Sequence, residues 1–284
     1  MIGDYVRARP SSALGRIAVV VVLAVVIALV LGFLLVPIVA LVTYQPVGGL
    51  IDELGKPVTT DAIVVSLKTN AVAMALTLGL GTPLAYQIGR RQFRGRKFVI
   101  TLIELPLVMP PAVAGIALLV AYGRLGLLGH ALRVLGINVL FTPTAVVMAI
   151  TFVASPFYIR GAIAAFEAID ATLIDVAATL GAGPLRRALR VAIPLARTGL
   201  GASAALAFAR GIGEFGATIL FAGSFQGVTQ TLPTAVYSLF DANLDQAVAI
   251  GVLLLVFSGT ILLTAKFLFS WPSLTWPSLR STSR

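Results

Sequence analysis

The run ARGIGEFGATILFAG, Ala209 to Gly223, sets two opposite charges, Arg210 and Glu214, inside an otherwise apolar stretch. Four residues apart on a helix they share one face. At bilayer depth each costs about 2.5–3.5 kcal/mol unless it turns to a partner or a cavity. Two chemistries fit: a mutually neutralised packing pair, or groups bordering a polar passage. Gly211, Gly213 and Gly216 also spell Gly-x-Gly-x-x-Gly. As a dinucleotide fingerprint that motif requires a preceding strand and a βαβ unit, and here it lies within a helical apolar run. Small residues at this spacing, with Gly199, Ala202, Ala205 and Ala209 before them, instead let helices approach closely. His130 is the single histidine and there is no cysteine, so a hydrolytic triad or a metal set lacks its partners. No Gly-x4-Gly-Lys-Ser/Thr loop occurs, so the energy for any driven process must come from a partner or an ion gradient.

These residues need a membrane to position them. The chain of 284 residues is 58% hydrophobic and 11% charged, with mean hydropathy +1.01, and its apolar runs reach the roughly 20 residues that cross a bilayer as helix. They are continuous rather than alternating, which excludes a barrel. Six spans are expected, at about 17–42, 63–88, 98–122, 143–163, 200–221 and 247–269, forming one membrane domain over 17–270 between an N-terminal segment 1–16 and a tail 271–284. Pro106, Pro110 and Pro111 must break or kink the third. Residues 43–61 are read as a loop, 123–142 as a Gly-rich loop with a short helix, and the stretch after 221 as a loop ending with Asp241 and Asp245. Arg90, Arg91, Arg94, Arg96 and Lys97 crowd one connection, and with both termini inside, 16 of the 21 Lys and Arg residues fall on the cytoplasmic side, as the positive-inside rule asks. The net charge of +10 therefore reads as topology, not as a nucleic-acid surface.

One inner connection is more than a loop. In EAIDATLIDVAATLGAGPLRRALRVAIP, Glu167 to Pro194, Asp170 can cap a helix start. Leu173, Val176, Ala177 and Leu180 recur at helical spacing, Gly181 supplies a C-terminal stop, and Pro184 suits the first turn of a second short helix. Two short amphipathic helices outside the bilayer form a shape for a partner to grip. An interfacial helix with Arg186, Arg187 and Arg190 on lipid headgroups is the plainer alternative.

This segment resembles the cytoplasmic "EAA" loop of ABC importer permease subunits, Glu-Ala-Ala, three residues, Gly, nine residues, Ile-x-Leu-Pro. Gly181, Val191, Ile193 and Pro194 stand at those spacings; with Ala177 and Ala178 read as the alanine pair, two residues rather than three precede Gly181, Val176 occupies the Glu position, and Asp175 stands just before it. GTPLAYQIGRR (Gly81 to Arg91), ELPLVMPPAVAG (Glu104 to Gly115), ARGIGEFGATILFAG and TQTLPTAVY (Thr229 to Tyr237) look like the molybdate-type branch and its sulfate relatives. The resemblance implies an all-α type I importer permease of the bacterial inner membrane. It implies a partnership with a second copy, two ATPase subunits that bind ATP and Mg, and an extracytoplasmic oxyanion-binding protein. The chain itself would hold no cofactor or metal and catalyse nothing. Asp175, Val176, Ala177, Ala178, Gly181, Pro184, Ile193 and Pro194 would then couple to the ATPase. Arg210, Glu214, Thr218, Ser224 and Thr231 are the candidates for the translocation path. Molybdate, with tungstate beside it, is the expected cargo; sulfate or thiosulfate import and a gradient-driven transporter are the alternatives.

Overall fold

The structure, a computed structural model, describes residues 13–269. The expected tail 271–284, and all of the expected segment 1–16 except its last four residues, lie outside the described residues. The chain divides into two units, 1–49 and 50–284. The first holds α1 (Ala13–Thr43), apolar around its whole circumference, as a helix in lipid must be.

No strand occurs among the described residues. After α2 (Val47–Leu54) come α3 (Pro57–Arg90), α4 (Arg96–Val108), α5 (Pro111–Tyr122), α6 (Gly129–Val134) and α7 (Pro143–Glu167). Then follow α8 (Ala171–Thr179), α9 (Pro184–Arg187), a π turn (Ala188–Ala192), α10 (Ile193–Ile212), α11 (Gly216–Phe221), α12 (Leu232–Leu239) and α13 (Leu244–Phe269). Among the described residues, five helical stretches are long and apolar enough to cross a bilayer, and the bent pair α4/α5 makes up to six.

Helix α7 is the central post, packed along α3 on one side and α10 on the other. Small residues permit the second contact: a Cβ on Gly161 would meet Ser203 Oγ at 2.0 Å, and one on Gly199 would meet the Ala165 Cβ at 2.6 Å. The N-terminal half of α7 shares its core with α5 and α11, through Ala145, Ile150, Val153, Leu118 and Phe221. Its C-terminal half, with Tyr158, Ile163 and Phe166, packs on the end of α3, Ile174 of α8, and α10. The Tyr158 hydroxyl meets Thr82 Oγ1 at 2.5 Å, one of the few polar ties between α3 and α7.

The expected break in the third span falls between α4 and α5, which meet at 112°; Pro110 and Pro111 end one helix and start the next, while Pro106 stays inside α4. Three expectations change. The fifth span stops at Ile212, and the chain unwinds over residues 213–215 before the single turn and a half of α11. The second short helix after Gly181 is not separate, since Pro184–Ile212 runs as one helical stretch. Pro194 has no N–H to offer and crowds the carbonyl one turn back; the π turn before it accommodates this, Ile193 N–H donating to Ala188 O. Finally, two stretches read as loops contain helices. One is α2. The other is α12, started by a capping box in which the Thr231 N–H donates to Thr234 Oγ1 at 2.8 Å.

Candidate functional site

The segment after α7 builds itself from local signals. Asp170 Oδ1 accepts the Thr172 N–H at 2.9 Å and so caps α8. That bond, with further help from the Thr172 hydroxyl and the positive charge of Arg90, holds the exposed Asp170 carboxyl below its ordinary pKa. Gly181 closes the helix in the left-handed region, φ +81°, with Ala182 N–H donating to Ala177 O at 3.0 Å. One side chain, the buried Ile174, roots α8 in the core. Arg90 Nη1 anchors the entry by donating to Ile169 O at 2.9 Å.

One outward face of α8 is apolar. Leu180 is 81% exposed and Leu173 and Val176 about half, at 49% and 51%. Val176, Ala177 and Pro194 line a groove of about 380 Å³ together with Leu173 and Leu180. Asp175, Pro184 and Ile193 lie on the other flank, lining a cavity of about 800 Å³ beside Arg90, Arg91 and Arg187. Ala178 is half-buried and Gly181 exposed. The eight residues singled out thus belong to one element with two sides. Asp175 stands among arginines of its own chain, while Val176 shares the apolar side.

The second candidate group is partly assembled. Arg210 Nη2 meets Glu214 Oε2 at 2.5 Å, with Glu214 buried to 2%. The other oxygen of Glu214 accepts the Ala217 N–H at 2.8 Å, so the carboxylate also ties down the start of α11. Thr218 lies on α11, fully buried, its hydroxyl without a protein partner. Ser224 and Thr231 are held elsewhere: Ser224 by Ser238 at 3.1 Å, Thr231 by Thr234 at 3.2 Å in the cap of α12. Of the glycine triplet, Gly211 lies against Asn70 and Ile150, and Gly216 against Pro111, where a Cβ would come within 2.3 and 2.6 Å. Close packing is what these two glycines provide.

Sequence reasoning missed a pairing between α4 and α7. Arg96 bonds Glu167 at the end of both helices, and deeper in, Glu104 Oε1 lies 3.4 Å from Arg160 Nε. The helices run antiparallel, and the spacings, eight residues from Arg96 to Glu104 and seven from Arg160 to Glu167, are each about two turns. Those matched spacings of opposite charge were the available signal.

Residues 78–270 match the family described as the binding-protein-dependent transport system inner membrane component. The chain is 44% identical over 207 residues to the molybdenum transport system permease protein ModB of Mycobacterium tuberculosis, covering 73% of this chain and 78% of that one. It is 35% identical over 234 residues to the probable transport system permease protein NifC of Clostridium pasteurianum, covering 82% of each. Among solved structures, a bacterial alginate ABC transporter in complex with an alginate pentasaccharide-bound periplasmic protein superposes with a TM-score of 0.68 at 18% identity, covering 88% of this chain and 93% of that one. The inward-facing MetNI methionine ABC transporter gives 0.57 at 18% identity, covering 74% and 93%.

Proposed function

The chain belongs to the family of binding-protein-dependent transport system inner membrane components, and from that premise we propose that it is the membrane-spanning subunit of an ABC importer that carries molybdate into the cell. It is a multi-pass membrane protein with the type I importer permease fold, and a transport subunit rather than an enzyme. Relatives named for molybdenum transport, at up to 44% identity over most of the chain, support the cargo. The reading extends to a second copy of the chain, two ATPase subunits that bind ATP and Mg on the cytoplasmic side, and a binding protein outside, with both termini in the cytoplasm.

The observation that carries the mechanism is the capped helix α8, with Leu173, Val176 and Leu180 held outward and a short turn leading into the helical stretch that ends at Ile212. An apolar stripe on a short rigid helix fits a groove on a partner. The ATPases would close on ATP binding, draw the two docking elements together and open the spans outward; hydrolysis would reset them. Asp175 is exposed on the flank it shares with Arg90, Arg91 and Arg187, and the reading gives the ATPase contact to the apolar side, Val176 included. Arg210, Glu214 and Thr218 would border the path at the α10/α11 break, with Ser224 and Thr231 further along it.

Uptake of labelled molybdate by vesicles containing the complete complex tests the reading. Uptake should require ATP on the ATPase side and withstand a hundredfold excess of sulfate, on the order of 3 kcal/mol of discrimination. ATP-independent uptake, or uptake abolished by sulfate, overturns it.

A further inference from the structure

The Glu104–Arg160 pair is placed where lipid does not suit it. Counting inward from the Arg96–Glu167 bond that closes the ends of α4 and α7, Glu104 lies about 12 Å and Arg160 about 10 Å along its helix. That is roughly a third of the way into a hydrocarbon core of about 30 Å. An arginine at such depth facing lipid reaches for the headgroups. Arg160 does not; its Nε is held beside Glu104 at equal depth, 3.4 Å away, while its side chain stays 68% exposed. Beside it runs an open groove of about 470 Å³ lined by Gly161, Ala164, Ala202 and Ser203 together with Leu107, Phe157 and Leu206.

We infer that this flank of α4, α7 and α10 faces water rather than lipid, and that Arg160 offers its guanidinium to the transported oxyanion in the inner half of the passage. The inference rests on the importer reading and adds a residue to it. A guanidinium carries five N–H donors, more than one carboxylate occupies, and its planar fork suits an oxyanion. Glu104 has the complementary task. An unpaired cation here would hold a dianion too firmly, and conduction needs contacts weak enough to leave; a resident carboxylate that the cargo displaces and that then returns keeps the contact brief.

The chain has no cysteine, so single cysteines report without background. In nanodiscs holding the complete complex, Ala164→Cys in the groove should react with an anionic methanethiosulfonate at a rate close to that of Gln92→Cys, exposed in the connection between α3 and α4. A lipid-facing position would be slower by about a hundredfold. Molybdate should slow the reaction at position 164 and not at 92, and adding Arg160→Gln should abolish that protection. Labelling by a membrane-soluble maleimide alone, absence of protection, or protection that survives Arg160→Gln each overturns the inference. In vesicles, Arg160→Gln should lower molybdate uptake by about tenfold, the loss of one charge-assisted contact, with Arg160→Lys between it and wild type. Wild-type vesicles that take up no molybdate overturn the importer reading; wild-type uptake matched by Arg160→Gln overturns the inference alone.

Discussion

Glu214, in the break after α10, has both oxygens engaged, one in the ion pair with Arg210 and one by the Ala217 N–H. Glu214→Ala strips both partners and is expected to cost about 3 kcal/mol, as breaking a buried pair does. Glu214→Gln keeps an acceptor for Ala217 and should cost less, about 1 kcal/mol; thermal unfolding of the detergent-solubilised protein will order the two. Asp170 gives a prediction of a different kind. Its carboxyl sits below the ordinary value of 3.8 in the fold, chiefly because it accepts the Thr172 N–H. A depressed folded pKa means that the cap's contribution is complete above about pH 4 and is lost as pH falls through the lower, folded value. The protection of the Thr172 amide, its exchange rate taken relative to the intrinsic rate at each pH, should therefore fall in acid, and Asp170→Asn, which still caps but does not titrate there, should remove that loss of protection. Both residues stood out in the sequence because each is a charge or cap set against an apolar pattern. The Arg160–Glu104 pair did not, because it joins residues 56 apart on two helices, a register that local spacing does not state.

At the scale of elements, α8 was legible because its limits are local: Asp170 starts it and Gly181 stops it. At Gly181 a Cβ would meet nothing within 4 Å, yet φ is +81°, so substitution there is a question of backbone conformation alone. Gly181→Val should cost about 1–2 kcal/mol in the turn and Gly181→Asn less. ATP-driven uptake at normal protein levels should fall in that order, and full uptake by the Val variant removes the turn from coupling. Gly115 is the opposite case. Its Cβ would strike Leu220 Cβ and the Ala217 backbone at 2.9–3.0 Å, so Gly115→Ala should drive α5 from α11 at a cost of about 1–3 kcal/mol, read as a lowered melting temperature. The elements that escaped sequence reading share a cause. The break over residues 213–215 lies inside a run that is apolar on both sides of the Arg210–Glu214 pair, and α12 is eight residues long and adds burial against α3 and α13 to its capping box. Tertiary packing, on top of the local cap, draws those boundaries.

For the whole molecule, the placement of charge makes a test of orientation simple. With the Arg90–Lys97 connection and the docking element inside, His130→Cys should react with an impermeant thiol reagent from outside intact cells. Gln92→Cys, exposed in the Arg90–Lys97 connection, should react only after permeabilisation; the reverse pattern would overturn the orientation. The helical stretch from Pro184 to Ile212, 29 residues, is about 43 Å long, with the docking turn at one end and Arg210 near the other. The π turn at Ala188–Ala192 holds one residue more than the helix it interrupts, and that surplus sets the two ends about 100° out of phase with an unbroken helix. Length is almost untouched by it; direction is not. On the importer reading, a pull at the turn before Pro184 would arrive at the far end along an azimuth chosen by a single residue, and deleting one position between 188 and 192 would aim the same stroke at a different neighbour.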